Sequence, residues 1–374
     1  MVLDSITIEG FKSIASVQDL KLGPINVLIG PNGSGKSNLI GAFSFLHAIR
    51  RGRLQEYVIR AGGANNVLHF GSKSTKLLHL YISLSEQRYQ YRLTLIPTDN
   101  DGLMPYVETA YYWEKFFYAR PYEEPLVGQG GEAGISLPNI HRYAMSVRQS
   151  LNSWRTYQFH DTSSSSPIRK TVDVNDNRFL RANASNLAAF LYLLSVKHQT
   201  EYNLIRRTVQ LVAPFLDDFV LQPLSLNEFK IRLEWRHKGT DAYFDASAFS
   251  DGTLRFIALT TLLLQPESLR PSVIIIDEPE LGLHPNAITL FASLVKQVSA
   301  NTQIILSTQS PILLDHFQPD DVIVAERAAG QSHFRQLNAE RLKVWLRDYS
   351  LGQLWEKNEL GGRPRAEDIR GAHE

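Results

Sequence analysis

Eight residues constrain this chain more than any other feature: Gly30-Pro31-Asn32-Gly33-Ser34-Gly35-Lys36-Ser37, a match to G-x-x-x-x-G-K-[ST]. The apolar stretch INVLI runs into it, and a helical pattern, NLIGAFSFLHAIR, runs out of it from Asn38. In the order strand, glycine-rich turn, helix, backbone N–H groups can curl around phosphate oxygens with a positive helix end behind them. Lys36 would reach the outer phosphates, and Ser37 would ligate Mg²⁺. The alternative is an ordinary glycine-rich turn, but the two flanks favour phosphate.

A second signal stands far downstream. VIIID ends in Asp277, followed at once by Glu278. A continuous apolar run of this length suits a strand buried in a parallel sheet. Its C-terminal edge would face the phosphate loop, so Asp277 can hold the Mg²⁺ hydration shell and Glu278 can polarise an attacking water. The run QIILS at 303–307, with a helical pattern at 286–299 between the two, completes a β-α-β unit.

Composition narrows the rest. There is no cysteine among the 374 residues, which excludes disulfides, thiol catalysis and Cys-ligated zinc. The 11 histidines never come within five positions of one another, so no short two-His zinc motif exists. With 39 Lys+Arg against 38 Asp+Glu, the formal net charge is +1, so any nucleic-acid contact must come from a local patch. The start, MVLDSITIEG, has no basic-then-apolar leader, and the longest apolar runs fall short of a bilayer span. A cytoplasmic protein without membrane partners is expected.

Along the chain, strands are expected near 5–8 and 25–29, and antiparallel strands between 78 and 96. Residues 97–170 read as irregular and turn-rich. Helical spacing runs from 184 to about 219, with Pro214 separating or ending a helix. No heptad pattern sustains a coiled coil.

These motifs resemble those of a known family. Asp277-Glu278-Pro279-Glu280-Leu281-Gly282-Leu283-His284-Pro285 is similar to the Walker B and D-loop of RecF-like, SMC-related ABC ATPases. Phe249-Ser250-Asp251-Gly252-Thr253 stands where that family carries its signature, before a helical stretch, and Thr308-Gln309-Ser310-Pro311 resembles its switch loop. Gly10-Phe11-Lys12-Ser13-Ile14 resembles its N-terminal strand turn, which places Lys12 near the nucleotide. Transporter ATPases usually continue differently after the Glu-Pro pair.

The resemblance implies an α/β fold of the P-loop NTPase, ABC/RecF-like type: a mixed sheet, an antiparallel β-subdomain and a small helical lobe. The division expected is 1–180 for the first lobe, 181–249 for the helical insertion, and 250–374 for the signature, Walker B, D-loop, switch loop and a helical tail. It implies ATP and Mg²⁺ as cofactors. Gly30–Ser37, Asn38 and Lys12 would bind nucleotide, Ser37 and Asp277 the metal, and Glu278 and Gln309 would serve catalysis. Ser250, Asp251 and Gly252 would cap the ATP held by a second copy, giving a head-to-tail homodimer. Two departures stand out. Gln309 replaces the usual switch histidine and cannot carry a proton charge near neutrality, which points to slow turnover. No glutamine is assigned to the Q-loop; the best stretch is Tyr157-Gln158-Phe159-His160-Asp161, a short alternating strand.

Two function classes follow. One is an ATP-driven switch acting on DNA, in repair or in defence against foreign DNA. The other is an ATP-gated regulator of a separate effector protein. About 50 residues follow the switch loop, too few for a TOPRIM nuclease domain. Arg142, Arg148 and Arg155, interleaved with Tyr143, Trp154, Tyr157 and Phe159, suit phosphate contact with base stacking. A solvated face over a small core explains the same residues. Arg50, Arg51 and Arg53 read as charges complementing a helix C-terminus.

Overall fold

The computed structural model describes residues 1–361; the end of the expected C-terminal tail lies outside them. Strands β1 (Leu3–Phe11) and β2 (Ile14–Lys21) form a hairpin through Lys12, and β3 (Ile25–Ile29) follows. β4 (Leu78–Leu84), β5 (Tyr89–Pro97), β6 (Leu103–Tyr112) and β7 (Tyr122–Pro125) join the hairpin in an antiparallel sheet ordered β2-β1-β4-β5-β6-β7.

After β8 (Trp154–Tyr157) come five short strands: β9 (Val172–Asp173), β10 (Leu216–Val220), β11 (Lys230–Ile231), β12 (Glu234–His237) and β13 (Tyr243–Asp245). β9 pairs with β11, and β10-β12-β13 make a small sheet. The helices Leu187–Lys197 and Gln199–Val212 lie in the same stretch, and the second ends ahead of Pro214. β14 (Val273–Asp277), β15 (Gln303–Thr308), β16 (Val322–Ala328) and β17 (Gln331–Gln336) complete a mixed sheet ordered β17-β16-β3-β15-β14-β8. Only β17 runs antiparallel to its neighbour there.

The mixed sheet separates two cores. β3 sends Val27 and Ile29 to one and Leu28 to the other; β14 divides Ile274 and Ile276 from Val273 and Ile275 in the same way. This period-2 partition is why these strands carry no polar face in the sequence. One core is closed by the Lys36–Arg50 helix, which contributes Leu39, Phe43, Leu46 and Ile49. The other is closed by the helices Asp251–Leu264 and Pro285–Val298.

One expectation is corrected. Residues 97–170 are not irregular throughout: they hold β6, β7, β8 and the helix Arg142–Asn152. The turn residues around Thr98–Gly102 close the β5–β6 hairpin, with Thr98 N–H donating to Gly102 O at 3.0 Å. Clusters of turn residues there punctuate short elements rather than replace them. Among the described residues, no helix is long and apolar enough to cross a membrane.

Candidate nucleotide site

The phosphate loop leaves the C-terminal end of β3, and the Lys36–Arg50 helix leaves the loop. Gly35 has φ +107, and a Cβ there would lie 2.1 Å from Ser332 Oγ on the β16–β17 hairpin, so only glycine fits. The Lys36 ammonium is buried and donates to Gly30 O at 2.6 Å and Pro31 O at 3.1 Å. Burial pushes its pKa below the ordinary lysine value, while the carboxylates of Glu278, Asp277 and Glu280 act in the opposite direction. The Ser34 hydroxyl is buried without a partner. A cationic lysine aimed into a glycine loop and an orphaned hydroxyl fit a bound phosphate chain.

Asn38 donates to Ser13 Oγ at 2.6 Å, which in turn meets Ser332 Oγ at 2.6 Å, both hydroxyls packing against Gly35 of the loop. Lys12 sits at φ 49 in the β1–β2 turn. Its ammonium lies 3.7 Å from where a Cβ on Gly41 would stand, one turn beyond Ser37, and burial lowers its pKa.

Asp277 ends β14, and parallel register sets Ser307 beside it on β15. Its carboxylate accepts from Ser307 Oγ and, at 3.3 Å, from Gln158 Nε2. Gln158 follows β8 directly, and Tyr157 pairs with Ile276, so the same register carries Gln158 to the metal-side acid. The expected strand over 157–161 is thus corrected: it spans Trp154–Tyr157, and Gln158 lies directly beyond it, against Asp277.

Glu278 holds a left-handed backbone, φ 44, with its N–H on Ser307 O at 3.0 Å. Its carboxylate accepts from Gln309 Nε2, which also donates to Asn32 Oδ1 at 2.9 Å. Gln309 therefore bridges the acid and the phosphate loop. Beneath it, buried Glu280 accepts from Thr308 Oγ1 at 2.6 Å and Gln309 N–H at 3.1 Å, leaving its other oxygen unpartnered. Sequence reasoning placed Glu280 in a motif but gave it no task; here it positions the switch loop.

Burial raises the Glu280 pKa. The folded state then holds that proton more tightly than the unfolded chain, so this residue's contribution to stability falls as pH rises from the ordinary carboxyl range through the raised value. Glu280→Gln should remove the effect. As pH rises above about 4.5, the variant's Tm should gain on that of the parent protein. Parallel Tm curves would contradict this.

The signature residues belong to a different surface. Ser250 caps the Asp251–Leu264 helix by accepting from Thr253 N–H at 3.1 Å, and Asp251 pairs with Arg169 at 2.8 Å. A Cβ on Gly252 would stand 2.2 Å from Gly282 O, so the helix start packs directly on the D-loop. Buried Arg255 donates to Phe159 O at 2.7 Å and His160 O at 2.9 Å, while His160 Nε2 meets Asp277 O at 2.9 Å. Among the described residues, no hydrogen bond or ion pair joins Ser250, Asp251 or Gly252 to the phosphate loop of the same chain.

The aromatic part of the base-stacking expectation is corrected. Trp154, Tyr157 and Phe159 are buried in the two cores, and Tyr143 stacks on Tyr112 at 4.3 Å. Alternation along a strand flanked by two cores put these rings inside.

Comparison with known proteins agrees with this geometry. A family model described as "AAA domain, putative AbiEii toxin, Type IV TA system" matches residues 25–315. The chromosome partition protein Smc of Mycolicibacterium paratuberculosis (strain ATCC BAA-968 / K-10) is 39% identical over 75 residues, 20% of this chain and 6% of that protein. The Smc of Mycobacterium leprae (strain TN) is 44% identical over 68 residues, 17% of this chain and 6% of that one. The chain thus spans about 6% of the length of these curated relatives. Among solved structures, an Smc head bound to the C-winged helix domain of ScpA superposes with a TM-score of 0.56 at 14% identity, over 92% of this chain and 100% of that one. The Smc head with an extended coiled coil bound to the C-terminal domain of ScpA, derived from Pyrococcus furiosus, gives 0.55 at 15%, over 92% and 98%. The fold is that of an SMC/ABC-type ATPase head.

Proposed function

The chain belongs to the AAA-domain family whose model covers residues 25–315, and on that premise we propose that it binds Mg-ATP, closes head-to-tail on a second copy and hydrolyses slowly. The observation that carries this reading is the convergence of Lys36, Asp277, Gln158, Glu278 and Gln309 at one end of β3, β14 and β15. The loop amides and Lys36 hold the phosphates, and Lys12 adds a cation beside the same helix. Ser37 and Asp277 are the residues that would hold Mg²⁺, which supplies charge neutralisation at the phosphate oxygens. Glu278 orients a water, and Gln309 fixes the Glu278 carboxylate relative to the loop through Asn32. Because glutamine takes up no proton near neutrality, turnover rests on Glu278 alone and is slow.

Ser250, Asp251 and Gly252 support a shared site. They stand at the positive end of a helix, with no hydrogen bond to their own loop among the described residues, and Ser250 and Asp251 are exposed. Turnover per chain should therefore rise with protein concentration, and Ser250→Arg should flatten that dependence. Turnover independent of both would sink the shared site.

We assign the head to DNA, in repair or anti-phage defence, on the strength of a basic groove described below. A second reading, ATP-gated control of a separate effector, is favoured by one observation. The β6–β7 connection exposes Phe116 and Phe117 at 94% and 79%, an apolar tip suited to a protein partner. Stimulation of turnover by DNA supports the first reading; its absence at low salt supports the second.

A further inference from the structure

Two arginine-rich stretches far apart in sequence meet at one end of the Lys36–Arg50 helix. Arg50, Arg51 and Arg53 close that helix and enter the next, Leu54–Arg60, which ends on Arg60. Arg148 arrives from the helix Arg142–Asn152, and Arg155 from β8. Arg50 lies within the fields of Arg148, Arg51 and Arg155, and Arg155 within that of Arg51. Burial, then the charges of Arg155, Arg51 and Arg50, push the His47 imidazole down to about 4, so it is neutral at pH 7. Among the described residues, the charges acting on Arg50 and His47 are arginines, and no carboxylate forms an ion pair with Arg50 or Arg155. The acid that lines this end, Glu56, is held by Arg60 at 2.6 Å and Arg53 at 3.6 Å. Arg50 Nε is buried without a partner. Cations gathered this closely repel one another unless an anion comes between them.

The surface between this cluster and the phosphate loop is a groove. Ser37, Gly41, Ser44, His47 and Arg51 recur every three or four residues and so share one face of the helix. Three cavities follow that face. One of about 310 Å³ is lined by Ser37, Gly41, Ser44, Thr156 and Gln158. The next, about 210 Å³, is lined by Ser44, His47, Arg155 and Thr156. The last, about 160 Å³, is lined by His47, Arg51, Arg53 and Arg60. Neighbouring cavities share Ser44, Thr156 or His47, which sets them side by side along the helix. A 15-residue helix spans about 22 Å, long enough for several successive phosphates.

We propose that this groove binds the phosphate backbone of one nucleic-acid strand, with the arginine cluster as its anchor and the Ser37 end opening on the nucleotide site. Guanidinium forks match phosphate oxygens bidentately, and several of them gathered at one end of a channel suit neighbouring phosphates of one strand better than a single carboxylate. The ligand is named from the groove's own guanidinium chemistry; the DNA reading above rests on it, and both are independent of head-to-tail closure.

The test measures anisotropy of a labelled oligodeoxythymidylate of about 20 nucleotides, across about 50–200 mM salt, without nucleotide and with Mg-ATP in Glu278→Gln. Arg51→Gln combined with Arg155→Gln, which line two of the three cavities, should weaken binding at least about tenfold at low salt and lower the slope of log affinity against log salt by about 1.4, roughly 0.7 per lost contact. ATP affinity should be unchanged, since neither residue touches the loop; if the double variant does not fold, exposed Arg51→Gln alone should lower the slope by about 0.7. Displacement by tripolyphosphate at equal strand concentration keeps the phosphate chemistry and makes free polyphosphate the source. Equal displacement by polyglutamate, an unaltered slope in the variant, or no oligonucleotide binding to the parent protein overturns the proposal. A monomeric Glu278→Gln protein that still binds through Arg51 would instead remove the dimer and leave the groove.

Discussion

Glu278→Gln is expected to lower ATP turnover by about 10²–10⁴-fold while binding Mg-ATP as tightly as the parent protein. The side chain is separable from the metal side of the site. Asp277 is held by Ser307 and Gln158, whereas Glu278 points to Gln309 and the phosphate loop. Glutamine keeps the shape and can still face Gln309, so geometry survives while the negative charge that orients and polarises water is lost. Phosphate release and fluorescent-nucleotide titration on the same preparation separate the two effects. Turnover within tenfold of the parent would take Glu278 out of the reaction.

Lys36→Ala carries the second large effect. Its ammonium is buried in the loop and donates to Gly30 O and Pro31 O. Hydrogen bonds to charged groups are worth about 1.5–3 kcal/mol each, and two of them to phosphate oxygens amount to about 10²–10⁴ in affinity. Stability should change little, because removing a cation whose burial already opposes its charge relieves a cost as it loses two contacts. The expected result is a nucleotide Kd raised at least about a hundredfold, with a Tm within a few degrees of the parent. Unchanged affinity in a folded variant would remove the phosphate-loop assignment.

Where the chemistry is local, the sequence alone was enough to read it. Glycines at left-handed φ, a lysine and a hydroxyl must follow one another in a phosphate loop, and strands buried on both faces are largely apolar, as β14 and β15 are in Val273–Ile276 and Ile304–Leu306. Gln158 and Ser307 had no such signature. They join the site only because β8, β14 and β15 are parallel and in register, which sets Tyr157 against Ile276 and Ser307 against Asp277. The helix Arg142–Asn152 was legible in principle, since Ala144, Val147 and Leu151 recur at helical spacing, but turn-rich flanks obscured it. Strand β6 has a mixed pattern because only part of its length is covered, and its pairing with β5 decides its conformation. The arginine groove needed the third dimension: Arg148 and Arg155 read as phosphate contacts or a solvated face and Arg50–Arg53 as helix-end charges, and only the fold brings the two stretches together.

The central claim is that the nucleotide site is completed by Ser250–Thr253 of a second copy. It is tested most directly by light scattering on Glu278→Gln, with and without saturating Mg-ATP. A mass that doubles with Mg-ATP, and that Ser250→Arg returns to the single-chain value without loss of nucleotide binding, is the predicted result. A single-chain mass at saturating Mg-ATP and high protein concentration would contradict it.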